Sequence, residues 1–143
     1  CSTVPESAAV ASQSFRQDII LIAGGTDKNL DFRPLADSLN GTDGSRWRVR
    51  QLYLLEGSGT EKLLPLLDPA RVSHLGPFPS LKALLCELKE RLAAPDAKKV
   101  FGPITHHPPL PVVFSPGCTS FGMFRNEFDR GDSFKACVKD VFI

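Results

Sequence analysis

Hydrophobic positions along the chain fall into two alternating patterns. Asp18–Ala23 (DIILIA) is a continuous apolar run closed by Gly24-Gly25, which suits a strand buried on both faces, as in a parallel sheet. Val49–Leu55 (VRQLYLL) reads as a second strand, Arg71–Leu75 as a short third and Val112–Phe114 as a fourth. Between them the period changes to that of a helix. In Ser80–Leu92 the leucines at 81, 84, 85, 88 and 92 form one stripe, with Lys82, Glu87, Lys89 and Glu90 off it, so this stripe is expected in the core. Pro5–Phe15 reads as a helix with Thr3 as its cap, Pro5 early and Glu6 three residues after the threonine. Asp31–Leu39 is a short helix stopped by Asn40-Gly41, and Gly57-Ser58-Gly59 turns into a helix over Thr60–Leu67. A last helix is expected over Asp132–Val141, with Arg130 ending a loop and Asp132 as the cap. Pro95 ends the leucine-rich helix, and five prolines between Pro95 and Pro111 predict a wandering connection.

This order, helices alternating with strands, predicts an α/β fold of Rossmann-like type. Its mostly parallel sheet would carry helices on both faces, with residues 1–143 as one domain. Right-handed crossovers would put the strand-to-helix loops at one edge of that sheet. No internal repeat or heptad pattern is present.

Composition narrows the function classes. With 17 basic and 16 acidic residues the net charge is +1, and neither half concentrates one sign, so no nucleic-acid partner is expected. No apolar run approaches the ~18 residues of a membrane span, so no membrane partner is expected either. Cys1, Cys86, Cys118 and Cys137 have no C-x-x-C spacing and read as reduced thiols of a cytoplasmic protein. A lipidated Cys1 would need a signal peptide, and the sequence shows none. The sequence lacks an initiator Met, and it reads as a piece of a longer protein.

Two loops expected at the carboxyl edge of the sheet carry unusual chemistry. They are Gly24-Gly25-Thr26-Asp27-Lys28 and Ser115-Pro116-Gly117-Cys118-Thr119-Ser120. Backbone N–H groups freed by glycines, hydroxyls and one ammonium can together bind a carboxylate or a phosphate. Taken singly, the glycine pair fits a tight strand exit and Lys28 a solvated surface lysine. The chain has neither G-x-x-x-x-G-K-[ST] nor G-x-G-x-x-G, so these loops are not a nucleotide phosphate loop. Cys118 as a nucleophile, His106-His107 as metal ligands and the tripeptide Arg130-Gly131-Asp132 as an adhesion motif are weaker readings. None has a second partner group at useful spacing, and no catalytic residue and no metal site is expected in this chain.

The segments LIAGGTDKNLDFRPLADSL (Leu21–Leu39) and FSPGCTSFGMFRNEFDRGDSFK (Phe114–Lys135) resemble the carboxy-terminal domain of the Mur ligases, in particular the D-glutamate-adding members. That family carries GG-x-x-K-x-x-D-F after a strand, then SP-x-x-AS, a phenylalanine and RG-x-x-F. Its A-T-x-P-E-A hinge is similar to STVPES here. The resemblance implies that Lys28 holds the side-chain carboxylate of D-glutamate. It implies that Ser120 and Phe121 line the same pocket and that Thr3 touches the amino acid, with Gly24, Gly25 and Gly117 supporting the loops. It also implies ATP-dependent amide formation with Mg²⁺ through an acyl phosphate. In that reaction the amine of D-glutamate attacks the activated carboxyl of UDP-N-acetylmuramoyl-L-alanine. The amino-terminal and central ATP-binding domains of that family are absent from this chain, which is therefore expected to be inactive alone. The resemblance further implies a bacterial, monomeric enzyme of peptidoglycan-precursor synthesis.

Three departures stand out. Thr119 replaces the alanine of SP-x-x-AS, Glu127 stands where the family often has an aromatic with Phe128 following, and Asp96–Pro109 is longer than the usual connection. Alternatives are a Mur or folylpolyglutamate-type ligase for another amino acid, or a non-catalytic anion-binding α/β module. The D-N-P-R signature of the diaminopimelate-adding member is missing from the sequence.

Overall fold

The computed structural model describes residues 2–102 and 110–143. Its elements run α1 (Pro5–Gln13), β1 (Ile19–Gly24), α2 (Arg33–Asn40), β2 (Val49–Leu55), α3 (Ser58–Leu63), β3 (His74–Phe78), α4 (Leu81–Ala93), α5 (Ala97–Phe101), β4 (Val112–Phe114) and α6 (Glu127–Phe142). A short 3₁₀ turn, Leu64–Leu66, extends α3. The four strands form one sheet in the order β3-β2-β1-β4, and every pairing is parallel.

β1 is buried along its whole length. Because side chains alternate across a strand, Ile19, Leu21 and Ala23 enter one core with Ala8 of α1 and Leu35 and Ala36 of α2. Ile20 and Ile22 enter the other with Leu81, Leu84, Leu85 and Leu88 of α4, Ala97 and Phe101 of α5 and Val141 of α6. Helices thus cover both faces, and the expected Rossmann-like α/β architecture is found. Among the described residues no helix is long and apolar enough to cross a membrane.

Several boundaries differ from expectation for local reasons. The third strand is His74–Phe78, not Arg71–Leu75. Arg71 and Val72 instead close a turn in which both backbone N–H groups donate to the Asp68 carbonyl, at 3.0 and 2.9 Å. Pro77 is tolerated because this strand lies at the edge of the sheet. α1 starts after Val4 with no side-chain cap, so Thr3 does not cap it, and it ends at Gln13 rather than Phe15. α2 begins at Arg33 because Asp31 is occupied outside the helix, accepting from the Arg33 backbone N–H and side chain. α3 begins at Ser58 and ends at Leu63, where Thr60–Leu67 was expected. Part of the proline-rich connection is the helix α5, whose Ala97 and Phe101, one turn apart, are buried. The rest of that stretch, with His106 and His107, lies outside the described residues, as does Cys1. The last helix starts five residues earlier than expected. Its cap is Asn126, whose side chain accepts from the Asp129 N–H at 2.8 Å, and Gly131 and Asp132 lie inside the helix.

Candidate functional site

Parallel pairing of β1 with β4 brings the loops after these two strands to the same sheet edge. The two loops are then stitched together. The Gly24 N–H donates to the Pro116 carbonyl at 2.9 Å, and the Thr119 N–H donates to the Thr26 carbonyl at 3.0 Å. The start of α3 braces the first loop from behind. There the Gly59 N–H donates to the Gly25 carbonyl (2.9 Å), the Gly25 N–H to Thr60 Oγ1 (3.2 Å) and the Asp27 N–H to Ser58 Oγ (3.0 Å).

Glycine is required by this bracing. A Cβ on Gly24 (φ 96°) would lie 2.4 Å from Thr60 Oγ1 and 2.7 Å from the Leu55 carbonyl oxygen. One on Gly57 (φ 146°) would lie 2.3 Å from the Gly25 carbonyl. These glycines admit neighbouring protein atoms to the loop, a packing role. Gly25 and Gly117 also have positive φ.

Thr3, Lys28, Ser120 and Phe121, separated by up to 118 positions in sequence, line one cavity of about 320 Å³, with Glu127 at its wall. Lys28 is exposed and has no carboxylate partner among the described residues. Its Nζ lies 4.8 Å from the centroid of the Phe121 ring. A cation–π contact at such an exposed place is worth roughly 0.5–1 kcal/mol, too little to hold the ammonium against an arriving carboxylate. The backbone below it is firmer. Asp27, whose side chain is 4% exposed, pairs with Lys62 and accepts from the Leu30 N–H at 2.8 Å. Burial pushes the Asp27 carboxyl up, but the bonds from Lys62, Leu30 and Asn29 outweigh it and hold the group below its ordinary value. Ser120 is buried in its backbone setting, and its carbonyl accepts from the Phe124 N–H at 3.0 Å.

Arg130, expected to end a loop, is instead a buried residue of α6, 4% exposed. Its guanidinium donates to the Cys118 carbonyl at 2.7 Å and to the Ser2 carbonyl at 3.0 Å. It thereby ties the hinge-like segment before α1 to the second site loop, a tie repeated by the Gly117 N–H donating to Ser2 Oγ at 3.2 Å. Burial lowers the pKa of this guanidinium. The signal for Arg130 lay in its spacing. Phe134, Cys137, Val138 and Val141 follow it on one helical face and pack on the core, so a helix extended back to Glu127 would have carried Arg130 inward.

Cys118 is fully buried, and its thiol is pushed up to about 12 by burial and then by the Asp27 carboxylate, which Arg130 only partly offsets. It is not a thiolate at neutral pH, so the nucleophile reading fails. Cys86, Cys118 and Cys137 are all free thiols. Phe128 is 70% exposed and does not line the cavity, so the ring in the wall is that of Phe121. Among the described residues no group of three His, Cys, Asp or Glu side chains could hold a metal ion.

Fold and loops together define a Rossmann-like domain with a polar cleft, one ammonium and several hydroxyls at its carboxyl edge. No protein-family model matches the chain. It is 41% identical over 141 residues to the UDP-N-acetylmuramoylalanine–D-glutamate ligase of Treponema pallidum, covering 99% of this chain and 23% of that protein. The ligase of the same name from a Roseiflexus species is 40% identical over 141 residues, covering 96% and 26%. That of Borreliella afzelii is 34% identical over 140 residues, covering 96% and 26%. Over nearly its whole length the chain is thus similar to D-glutamate-adding ligases of the Mur family, at 34–41% identity. It spans about a quarter of the length of the curated relatives it matches.

Proposed function

We propose that residues 1–143 form the amino-acid-accepting, carboxy-terminal domain of an ATP-dependent amide ligase. The substrates of that ligase would be D-glutamate and UDP-N-acetylmuramoyl-L-alanine. The observation that carries the reading is the convergence of Thr3, Lys28, Ser120 and Phe121 on one cavity in which Lys28 has no carboxylate partner. Lys28 meets the side-chain carboxylate, and the Ser120 and Thr3 hydroxyls supply directional hydrogen bonds. A charged hydrogen bond of this kind contributes about 1.5–3 kcal/mol. At the exposed Lys28 it reaches that size only when closure of the longer protein excludes water. A substrate with a neutral side chain would leave the ammonium unpaired in the closed site, which is the source of selectivity.

The chain's contribution is to hold the amine in line with the carboxyl it attacks, an orientation effect. In this reading ATP and Mg²⁺ activate that carboxyl in the remainder of the longer protein, which holds the amino-terminal and central domains. The protein works as a cytoplasmic monomer, and this chain alone is inactive. The test is an amino-acid panel offered to the purified full-length protein with UDP-N-acetylmuramoyl-L-alanine, read as ADP release and product mass. D-Glutamate alone should support turnover. Turnover with L-glutamate, D-alanine or diaminopimelate instead, or with none of the panel, overturns the assignment.

A further inference from the structure

Glu127 lines the same cavity as Lys28, Ser120 and Phe121, and neither an ion pair nor a hydrogen bond to its carboxylate occurs among the described residues. The neighbouring carboxylate is committed elsewhere. Asp129 accepts from the Arg125 N–H at 3.0 Å and pairs with the Arg125 guanidinium. Glu127 is half-buried at the first position of the sixteen-residue helix α6, which is fixed behind it by the Asn126 cap and by the buried Arg130. Its backbone position is therefore set before any ligand arrives.

A carboxylate in the wall of a site for an amino dicarboxylate is a liability unless something positive meets it. D-Glutamate carries two carboxylates and one ammonium, for a net charge of about −1 at neutral pH. The cavity offers the complementary set. Lys28 is the one cation among its lining residues and Glu127 the one anion, while the buried Arg130, which interacts electrostatically with Glu127, lies outside that lining. Of the substrate's charged groups, only the ammonium is opposite in sign to Glu127.

On the reading of this cavity as an amino-acid site, we propose that Glu127 is a positioning residue that binds the ammonium group of the incoming amino acid and aims its nitrogen. Phe121, already at the Lys28 side, then serves the carbon chain. The residue that departs from the family pattern becomes a specific contact to the reacting end of the substrate, and Phe128, turned to solvent, is not a replacement wall.

The experiment compares D-glutamate with glutarate, which keeps both carboxylates and the carbon chain but has no ammonium, in the full-length ligase. KM for D-glutamate and the inhibition constant of glutarate are measured for the parent, Glu127→Gln and Glu127→Asp. Glu127→Gln should raise the D-glutamate KM about 10- to 100-fold, the span of a lost charged hydrogen bond. Glutarate should inhibit as well as before or better, and Glu127→Asp should recover part of the loss. Unaltered glutarate inhibition also shows that the variant is folded. If the two ligands weaken in step, or if the preference for D-glutamate is unchanged, the proposal is wrong. A parent enzyme that uses a different amino acid overturns the substrate assignment instead, and the same comparison with that amino acid and its deaminated form then decides the role of Glu127.

Discussion

Replacing Arg130 with methionine removes two hydrogen bonds that reach 12 and 128 residues back along the chain, to Cys118 and Ser2. Each has a charged donor, so each is worth about 1.5–3 kcal/mol, and together they are worth roughly 3–6 kcal/mol. Two effects reduce that loss. Methionine keeps a long side chain at the site without the cost of burying a guanidinium, which is several kcal/mol per ion. The Ser2 carbonyl belongs to a half-buried residue and can turn to water, whereas the Cys118 carbonyl sits beside a fully buried side chain. The expected net loss is about 2 kcal/mol, or a fall in Tm of roughly 4–8 °C for a chain of this size. Thermal unfolding of the 143-residue chain, followed by circular dichroism, measures it. Arg130→Lys should fall between the two, because a single ammonium cannot fork to both carbonyls. The second readout is the amino-acid KM of the full-length protein. It should rise in Arg130→Met, because the loop that presents Ser120 and Phe121 loses its anchor. A methionine variant with the parental Tm and an unchanged KM refutes the claim that this buried cation holds the site together.

Two other outcomes follow from the same geometry. Asp27→Asn should cost about 1–2 kcal/mol at pH 7, since the pair with the half-exposed Lys62 is discounted for screening. Folding holds the Asp27 carboxyl below its ordinary value of 3.8, so its contribution is full above that pH and is lost as pH falls through the lower folded value. The variant should therefore show a flatter acid limb in urea titrations, and an identical limb contradicts the assignment. Iodoacetamide at pH 8 should label the half-buried Cys86 and Cys137 well before Cys118, as read by peptide mass mapping. Because folding raises the Cys118 value from 9.0 to about 12, the unfolded chain ionises first. The thiol's contribution to stability is full below pH 9 and declines as pH climbs toward 12. Prompt labelling of native Cys118 would show that the loop is open.

How far the sequence foretold the molecule depended on how many residues shared a signal. β1 and α4 were legible because a doubly buried strand and a leucine stripe leave long, regular patterns. That Lys28, Ser120 and Phe121 would come together was legible because they lie within two long motifs that the parallel pairing of β1 with β4 brings to one sheet edge, with Thr3 of the separate hinge segment on the same cavity. α5 was missed because one apolar pair, Ala97 and Phe101, is too short to show a period. The third strand was placed early because Gly76 and Pro77 have low strand propensity, yet an edge position accepts both. Arg130 was placed at the end of a loop because Asp132 reads as the cap of the last helix. Its burial is decided by backbone carbonyls brought in from Ser2 and Cys118, which no local window contains. Gly57 likewise read as a turn residue, and only the fold shows Gly25 pressed against it.

The central claim is that the cavity of Thr3, Lys28, Ser120 and Phe121 receives the substrate's side-chain carboxylate, with Lys28 as its cation. Lys28→Ala in the full-length protein tests it most directly, by steady-state kinetics with each substrate varied in turn. The account predicts a KM for D-glutamate raised by at least about tenfold, the equivalent of one charged hydrogen bond, with the KM values for ATP and the nucleotide sugar unchanged. A variant whose KM for D-glutamate and whose turnover match the parent would contradict it.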